Sequence, residues 1–166
     1  MKPLPPFSAR LFNPDHHVVD LLVDRGPWLD LHDEAGNVLA GIRGIAGACG
    51  HTLLGDEIGV DVIEMMPGSG FPMHVHPGDH ILYGLAGEGS VRVNGGVYPI
   101  RQGTSVFVAA EQPHSVLGPR SERFVLLAFG VPHEHLSSSR RMQLVEADLD
   151  GAGQGRSRPM KAPPSS

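Results

Sequence analysis

The chain has 166 residues, a net charge of -5, 22 glycines, 15 prolines, one cysteine and only 5% aromatic residues. That length suits one domain with a buried core, and the acidic balance excludes the basic face of a nucleic-acid binder. A lone Cys49 excludes an internal disulfide framework, no apolar run reaches membrane-spanning length, and MKPLPPFSAR has no apolar leader core, so a cytoplasmic address is expected.

Residues 1–14 are proline-rich and predict an extended arm. The folded domain is expected over 15–136. In VVDLLVDRGPWLDL, Asp20, Asp24 and Gly26-Pro27 interrupt the apolar residues, which predicts a short helical turn followed by a strand near 28–31. DEAGN reads as a turn. GIRGIAGACG lacks both the G-x-G-x-x-G spacing and the G-K-[ST] ending of phosphate loops, so it reads as glycine-rich strand or loop. From Gly59 onward VDVIEMM, FPMHVH, HILYGL, SVRVN, VYPI, TSVFVA, HSVLG and RFVLLAFG read as strands. Asn94-Gly95-Gly96 is a hairpin signal, because both loop positions can require positive φ. Strands every ten residues or so without intervening helices predict an antiparallel sandwich or barrel. MQLVEADL predicts a short helix or strand, and 137–166 reads as a C-terminal extension whose Gly, Ser, Arg and Pro content from Gly151 predicts disorder.

Three histidines, His74, His76 and His80, fall within GSGFPMHVHPGDHILYGLAG, and His114 ends VFVAAEQPH. Residues two apart in a strand share a face with Cα atoms about 6.6 Å apart, so His74 and His76 can lean toward one ion. Pro77 and Gly78 argue against a helix across this stretch. A Pro77-Gly78-Asp79 turn is expected to bring His80 back beside the first pair on an antiparallel return strand. His114 is expected to close the site from the opposite side. His16, His17, His32 and His51 lack partner spacing and read as surface or loop residues; His133-Glu134-His135 reads as a polar exit segment, with adventitious metal binding as the lesser alternative.

The spacing Gly68, five residues, His74-Val75-His76, three residues, His80, six residues, Gly87 resembles the first signature motif of the cupin superfamily. The stretch from Gly103 to Pro113-His114 resembles the second. Over residues 59 to 130 the resemblance implies a double-stranded antiparallel β-barrel of jelly-roll type, all-β, often dimeric, with one divalent metal ion in the barrel mouth. It implies His74, His76, His80 and His114 as ligands. His80 stands where the usual cupin carries glutamate, so the chain resembles the small four-histidine manganese cupins, and more loosely the three-histidine diketone-cleaving dioxygenases.

Imidazole suits iron, copper, zinc and nickel alike, with iron or manganese favoured through the resemblance. Four neutral ligands leave the full +2 charge on the site, which favours an anionic or enolisable small molecule. The expected function is an Fe(II)- or Mn(II)-dependent oxygenase acting on a small enolisable or aromatic compound, in a homodimer without nucleic-acid or membrane partners. Two alternatives stand beside it: a redox-neutral metal-dependent isomerase, lyase or hydrolase, and a non-catalytic ligand-binding module. Because metal binding needs neutral imidazoles, activity is expected to fall in mild acid. No catalytic acid or base is assigned. Tyr83 is expected to point away from the metal, and Phe71, Met73 and Val75 to pack behind the histidine strand. Phe107, Leu126, Met65 and Met66 are expected in the core, and Glu64, Arg92 and Glu111 on solvated faces.

Overall fold

In the computed structural model, which describes residues 12–21 and 27–145, the last long strand shows the period-two alternation of a half-buried strand. In β10 (Phe124–Val131) the side chains of Phe124, Leu126 and Ala128 turn inward, while Val125, Leu127 and Phe129 turn outward. The remaining strands are β1 (Leu29–His32), β2 (Val38–His51), β3 (Glu57–Met65), β4 (His74–Val75), β5 (Asp79–Ala86), β6 (Glu88–Val93), β7 (Gly96–Arg101), β8 (Ser105–Val108), β9 (His114–Leu117) and β11 (Gln143–Leu144). The described helices are one turn, α1 (Pro14–His17), capped by the Asn13 side chain, and a 3-10 turn at Ser139–Arg141.

All pairings are antiparallel and build two sheets, ordered β1-β2-β3-β10-β5-β8 and β11-β4-β9-β6-β7. They enclose Leu31, Ile42, Ile63, Met65, Leu82, Val91, Val108, Phe124 and Leu126. This is the all-β jelly roll of the cupin type, with two facing sheets that do not close into one ring. The β6–β7 hairpin turns at Asn94 and Gly95, whose φ angles of 51° and 77° are the left-handed values expected there. GIRGIAGACG is one long strand, β2, with a register shift between Ala46 and Cys49.

Residues 1–11 of the expected arm and residues 146–166 of the expected tail lie outside the described residues. The first part of the extension packs onto the sheets. Met142 is buried and Gln143–Leu144 pairs with β4. The expected short helical turn in VVDLLVDRGPWLDL is not formed over the described part of that stretch; the turn of helix lies earlier, where Pro14 stands at the first position behind an Asn cap.

Candidate metal centre

Backbone carbonyls decide how the central imidazoles point. The Nδ1 atoms of His74, His76 and His114 lie 2.8, 2.9 and 2.8 Å from the carbonyl oxygens of Pro72, Gly78 and Gln112. A carbonyl can only accept, so each Nδ1 carries the proton and donates it, and each Nε2 is left with a bare lone pair. Those lone pairs converge: the three ligand nitrogens lie within 4.8 Å of one another, and Nε2 of His76 stands 3.2 Å from Nε2 of His114. Two unprotonated nitrogens at that distance repel unless a cation lies between them. With metal–nitrogen bonds of about 2.0–2.1 Å, neighbouring ligands around one ion sit roughly 3 Å apart. The donor set fits a metal, and the carbonyls supply the outer hydrogen bonds that fix a ligating imidazole's tautomer.

The sheets place these rings differently from the expected hairpin. His74 pairs directly with His114 across β4 and β9, so those two are side by side in the five-stranded sheet. His80 belongs to β5 in the other sheet, opposite Gly130 and Val108. Pro77 and Gly78 carry the chain between sheets instead of reversing it within one. A Cβ on Gly78 would meet the Pro132 carbonyl oxygen at 2.3 Å, so that crossing needs glycine. Thus His80, and not His114, reaches the site from the opposite wall. Its ring stacks on His76 with centroids 3.6 Å apart and planes 20° apart. His80 lines the same cavity, but it is outside the set of three whose nitrogens converge.

The cavity is about 40 Å³ and is walled by apolar residues, among them Leu31, Ile63, Leu82, Leu126 and Met142. Burial pushes the His74 and His76 imidazoles down to about 3 and about 4, with the neighbouring His114 adding to both. Burial and then the stacked His76 ring take His80 to about 2. Burial lowers His114 as well. Burial thus favours the neutral form of all four rings, the form a metal ligand needs.

Three lining residues escape the reading from sequence. Arg141 reaches the cavity with its guanidinium held by Asp61 Oδ2 at 2.7 Å and the Glu134 carbonyl at 2.8 Å. It sits in a non-periodic exit segment, where no sequence pattern marks it. His32 is exposed yet lines the cavity, which puts it at the mouth. Phe71 also lines it, with its ring centroid 5.9 Å from that of His74. It does not pack behind the strand, because regular strand begins only at His74 and alternation does not extend back to Phe71.

Other expectations need similar correction. Phe107 and Met66 are exposed, whereas Leu126 and Met65 are core. Glu64 is buried, with its two carboxylate oxygens bound by Arg43 at 2.6 Å and Arg123 at 2.9 Å. Arg92 and Glu111 are exposed as expected.

Residues 61–136 match the family model Cupin_2, described as a cupin domain. Those residues form a cupin domain. Solved structures of similar fold include an RmlC-like cupin from Shewanella frigidimarina NCIMB 400 (18% identity, TM-score 0.58, covering 72% of this chain and 93% of that one). A cupin-2 domain from Rhodospirillum rubrum has 20% identity and a TM-score of 0.58, covering 74% of this cupin and 78% of that chain. The polyketide cyclase RemF from Streptomyces resistomycificus has 16% identity and a TM-score of 0.51, covering 67% and 75%. No curated protein matches this cupin. No described helix is long and apolar enough to cross a membrane.

Proposed function

We propose that this cupin is a mononuclear metal enzyme, an Fe(II)- or Mn(II)-dependent oxygenase of a small anionic or enolisable compound. His74, His76 and His114 hold the ion, with His80 as fourth ligand. The observation that carries this reading is the convergence of three carbonyl-fixed imidazoles, two of them with lone pairs 3.2 Å apart. A bound divalent ion would supply polarisation of oxygen donors and, when redox-active, electron transfer. Arg141 is suited to bind the negative charge of the substrate, since its guanidinium is already oriented by Asp61 and Glu134. The small apolar cavity limits the reacting end of the substrate to a few atoms and excludes bulk water from it. A cytoplasmic, homodimeric protein remains part of this reading. An outward row formed by Val60, Phe129, Ile81 and Phe107 across β3, β10, β5 and β8 supports a second copy of this chain as its cover, three of the four being 39–63% exposed.

One observation favours oxygen chemistry over the redox-neutral alternative. Among the described residues lining the cavity there is no carboxylate, hydroxyl or thiol, leaving His32 at the mouth as the histidine outside the ligand set able to move a proton. That histidine keeps the isomerase or lyase reading in view. Oxygen uptake by Fe(II)- or Mn(II)-loaded protein against a panel of small diketones and phenols separates the two. The oxygenase reading expects consumption with at least one compound. It fails if such compounds bind without oxygen uptake, and anaerobic turnover with zinc in place of iron would establish the redox-neutral reading instead. A metal-stripped protein that stays folded and still binds its ligand would point to the non-catalytic module.

A further inference from the structure

A second convergence of ligand atoms lies outside the cavity. His133, just after β10, is buried, and its ring sits between two carboxylates. Nε2 lies 3.0 Å from Asp61 Oδ2, and Nδ1 lies 3.1 Å from Glu57 Oε1. The same Glu57 oxygen stands 3.2 Å from Nε2 of His135. Glu57 Oε1 thus faces two ring nitrogens at once.

Asp61 is 1% exposed and also receives Arg141, so its carboxylate is fixed and accepts the Nε2 proton of His133. Neutral His133 then directs a bare Nδ1 lone pair at a carboxylate oxygen, which is repulsive. Two things relieve it: a second proton on the ring, or a cation between Nδ1, Glu57 and His135. The hydrogen bond to Asp61 raises the His133 pKa, which keeps the first possibility open in the absence of an ion.

The surroundings favour a cation. Nδ1 of His133, Oε1 of Glu57 and Nε2 of His135 lie within 4.8 Å of one another, and the two contacts to Oε1 match the spacing of neighbouring ligands around one ion. A buried carboxylate behind a histidine, with the other ring nitrogen aimed outward, is the arrangement that orients and strengthens a metal-binding imidazole. The ring is also seated: a Cβ on Gly59 would come within 2.6 Å of His133 Cγ, so β3 leaves a bare backbone for the imidazole to lie on. Glu57 and His135 are 24% and 63% exposed, which gives the ion a route in and leaves coordination positions for water.

The geometry points to a second metal site beyond the cavity, at the start of β3, in which Glu57, His133 and His135 bind a zinc-class divalent ion and Asp61 positions His133. Two imidazoles with one carboxylate suit Zn(II), and such an ion would clasp the segment after β10 to β3. Neither the family match nor the cavity histidines are needed for this site.

The test is Zn(II) binding to the full chain, read by equilibrium dialysis with elemental analysis. Wild-type protein is expected to hold two ions and His76→Ala/His114→Ala one. Adding His135→Ala to that double variant removes the last ion, and adding Glu57→Gln weakens it by at least ~10-fold. His135 is exposed, so its replacement leaves the fold intact, which circular dichroism checks. Should the double variant fail to fold, His135→Ala in the wild-type background reads the same site as a fall from two ions to one. A folded His76→Ala/His114→Ala protein without zinc overturns the proposal, as does zinc that survives His135→Ala unchanged. Failure of the cavity site alone would appear differently, as one ion in wild-type protein that is insensitive to His114→Ala and lost with His135→Ala.

Discussion

His76 and His114 are held with their lone pairs facing each other, and that unfavourable contact is the reason to expect an ion. Replacing His114 by Ala removes one imidazole and the opposed lone pair together, and is expected to weaken metal binding at the cavity by well over 10-fold, measured by competition with a chromophoric chelator. Acid acts on the same rings. The ordinary pKa of an unfolded histidine is about 6.5, whereas His74, His76 and His80 are lowered in the folded chain, to about 3, 4 and 2. The unfolded chain therefore binds more protons below pH 6.5, and stability is lost as pH falls from there toward the folded values. Each ring contributes on the order of 1 kcal/mol per pH unit in that window. The metal-free protein is expected to show a lower urea midpoint at pH 5 than at pH 7. His133 works in the opposite sense because its pKa is raised: its contribution is present below pH 6.5 and fades above it. The earlier expectation that mild acid strips the site is modified accordingly, since burial delays proton competition for the cavity ligands. At this scale the clustering of His74, His76 and His114 into a triad that could hold an ion was legible, because their spacing is written in the primary structure. Arg141 was not, because nothing local distinguishes it from other exit-segment arginines.

Among the elements, β5 and β10 matter most to the second wall of the site. His80 on β5 lies against Gly130 on β10, where a Cβ would come 3.1 Å from His80 Nε2. Gly130→Ala should push the His80 ring by a few tenths of an ångström. A several-fold change in cavity metal affinity with little change in Tm is the outcome expected if His80 is a ligand; isothermal titration of Co(II) reads it. Gly84, also on β5, has no such latitude. A Cβ there would meet the Arg101 carbonyl oxygen, a backbone atom, at 2.2 Å. Gly84→Ala is expected to lose about 2–4 kcal/mol of stability in urea unfolding. Strand existence was legible from period-two alternation, down to the left-handed Asn94-Gly95 turn. Sheet membership was not. Pro77-Gly78-Asp79 reads like a hairpin turn, but only the tertiary register shows that it changes sheets, which exchanges the expected places of His80 and His114.

Across the whole molecule, one edge of the cavity is built by residues distant in sequence. Arg141 and Met142 follow the last long strand, yet both line the cavity, and β11 pairs with the His74 strand. Those long-range contacts have no signature in composition, and a polar, proline-poor stretch after β10 reads from sequence alone as the beginning of a tail. The outward row centred on Ile81, Phe129 and Phe107 is legible only once the register is known. If it is a subunit interface, Ile81→Lys/Phe107→Lys should convert a dimer to a folded monomer in light scattering after gel filtration. The cavity itself is tested most directly by X-ray absorption on the Glu57→Gln/His135→Ala protein loaded with one equivalent of Fe(II) or Mn(II), which confines the ion to the barrel. The expected result is a shell of three or four imidazole nitrogens, lost in the additional His76→Ala/His114→Ala variant. An all-oxygen shell, or a shell unchanged by that substitution, would contradict a metal centre at His74, His76 and His114.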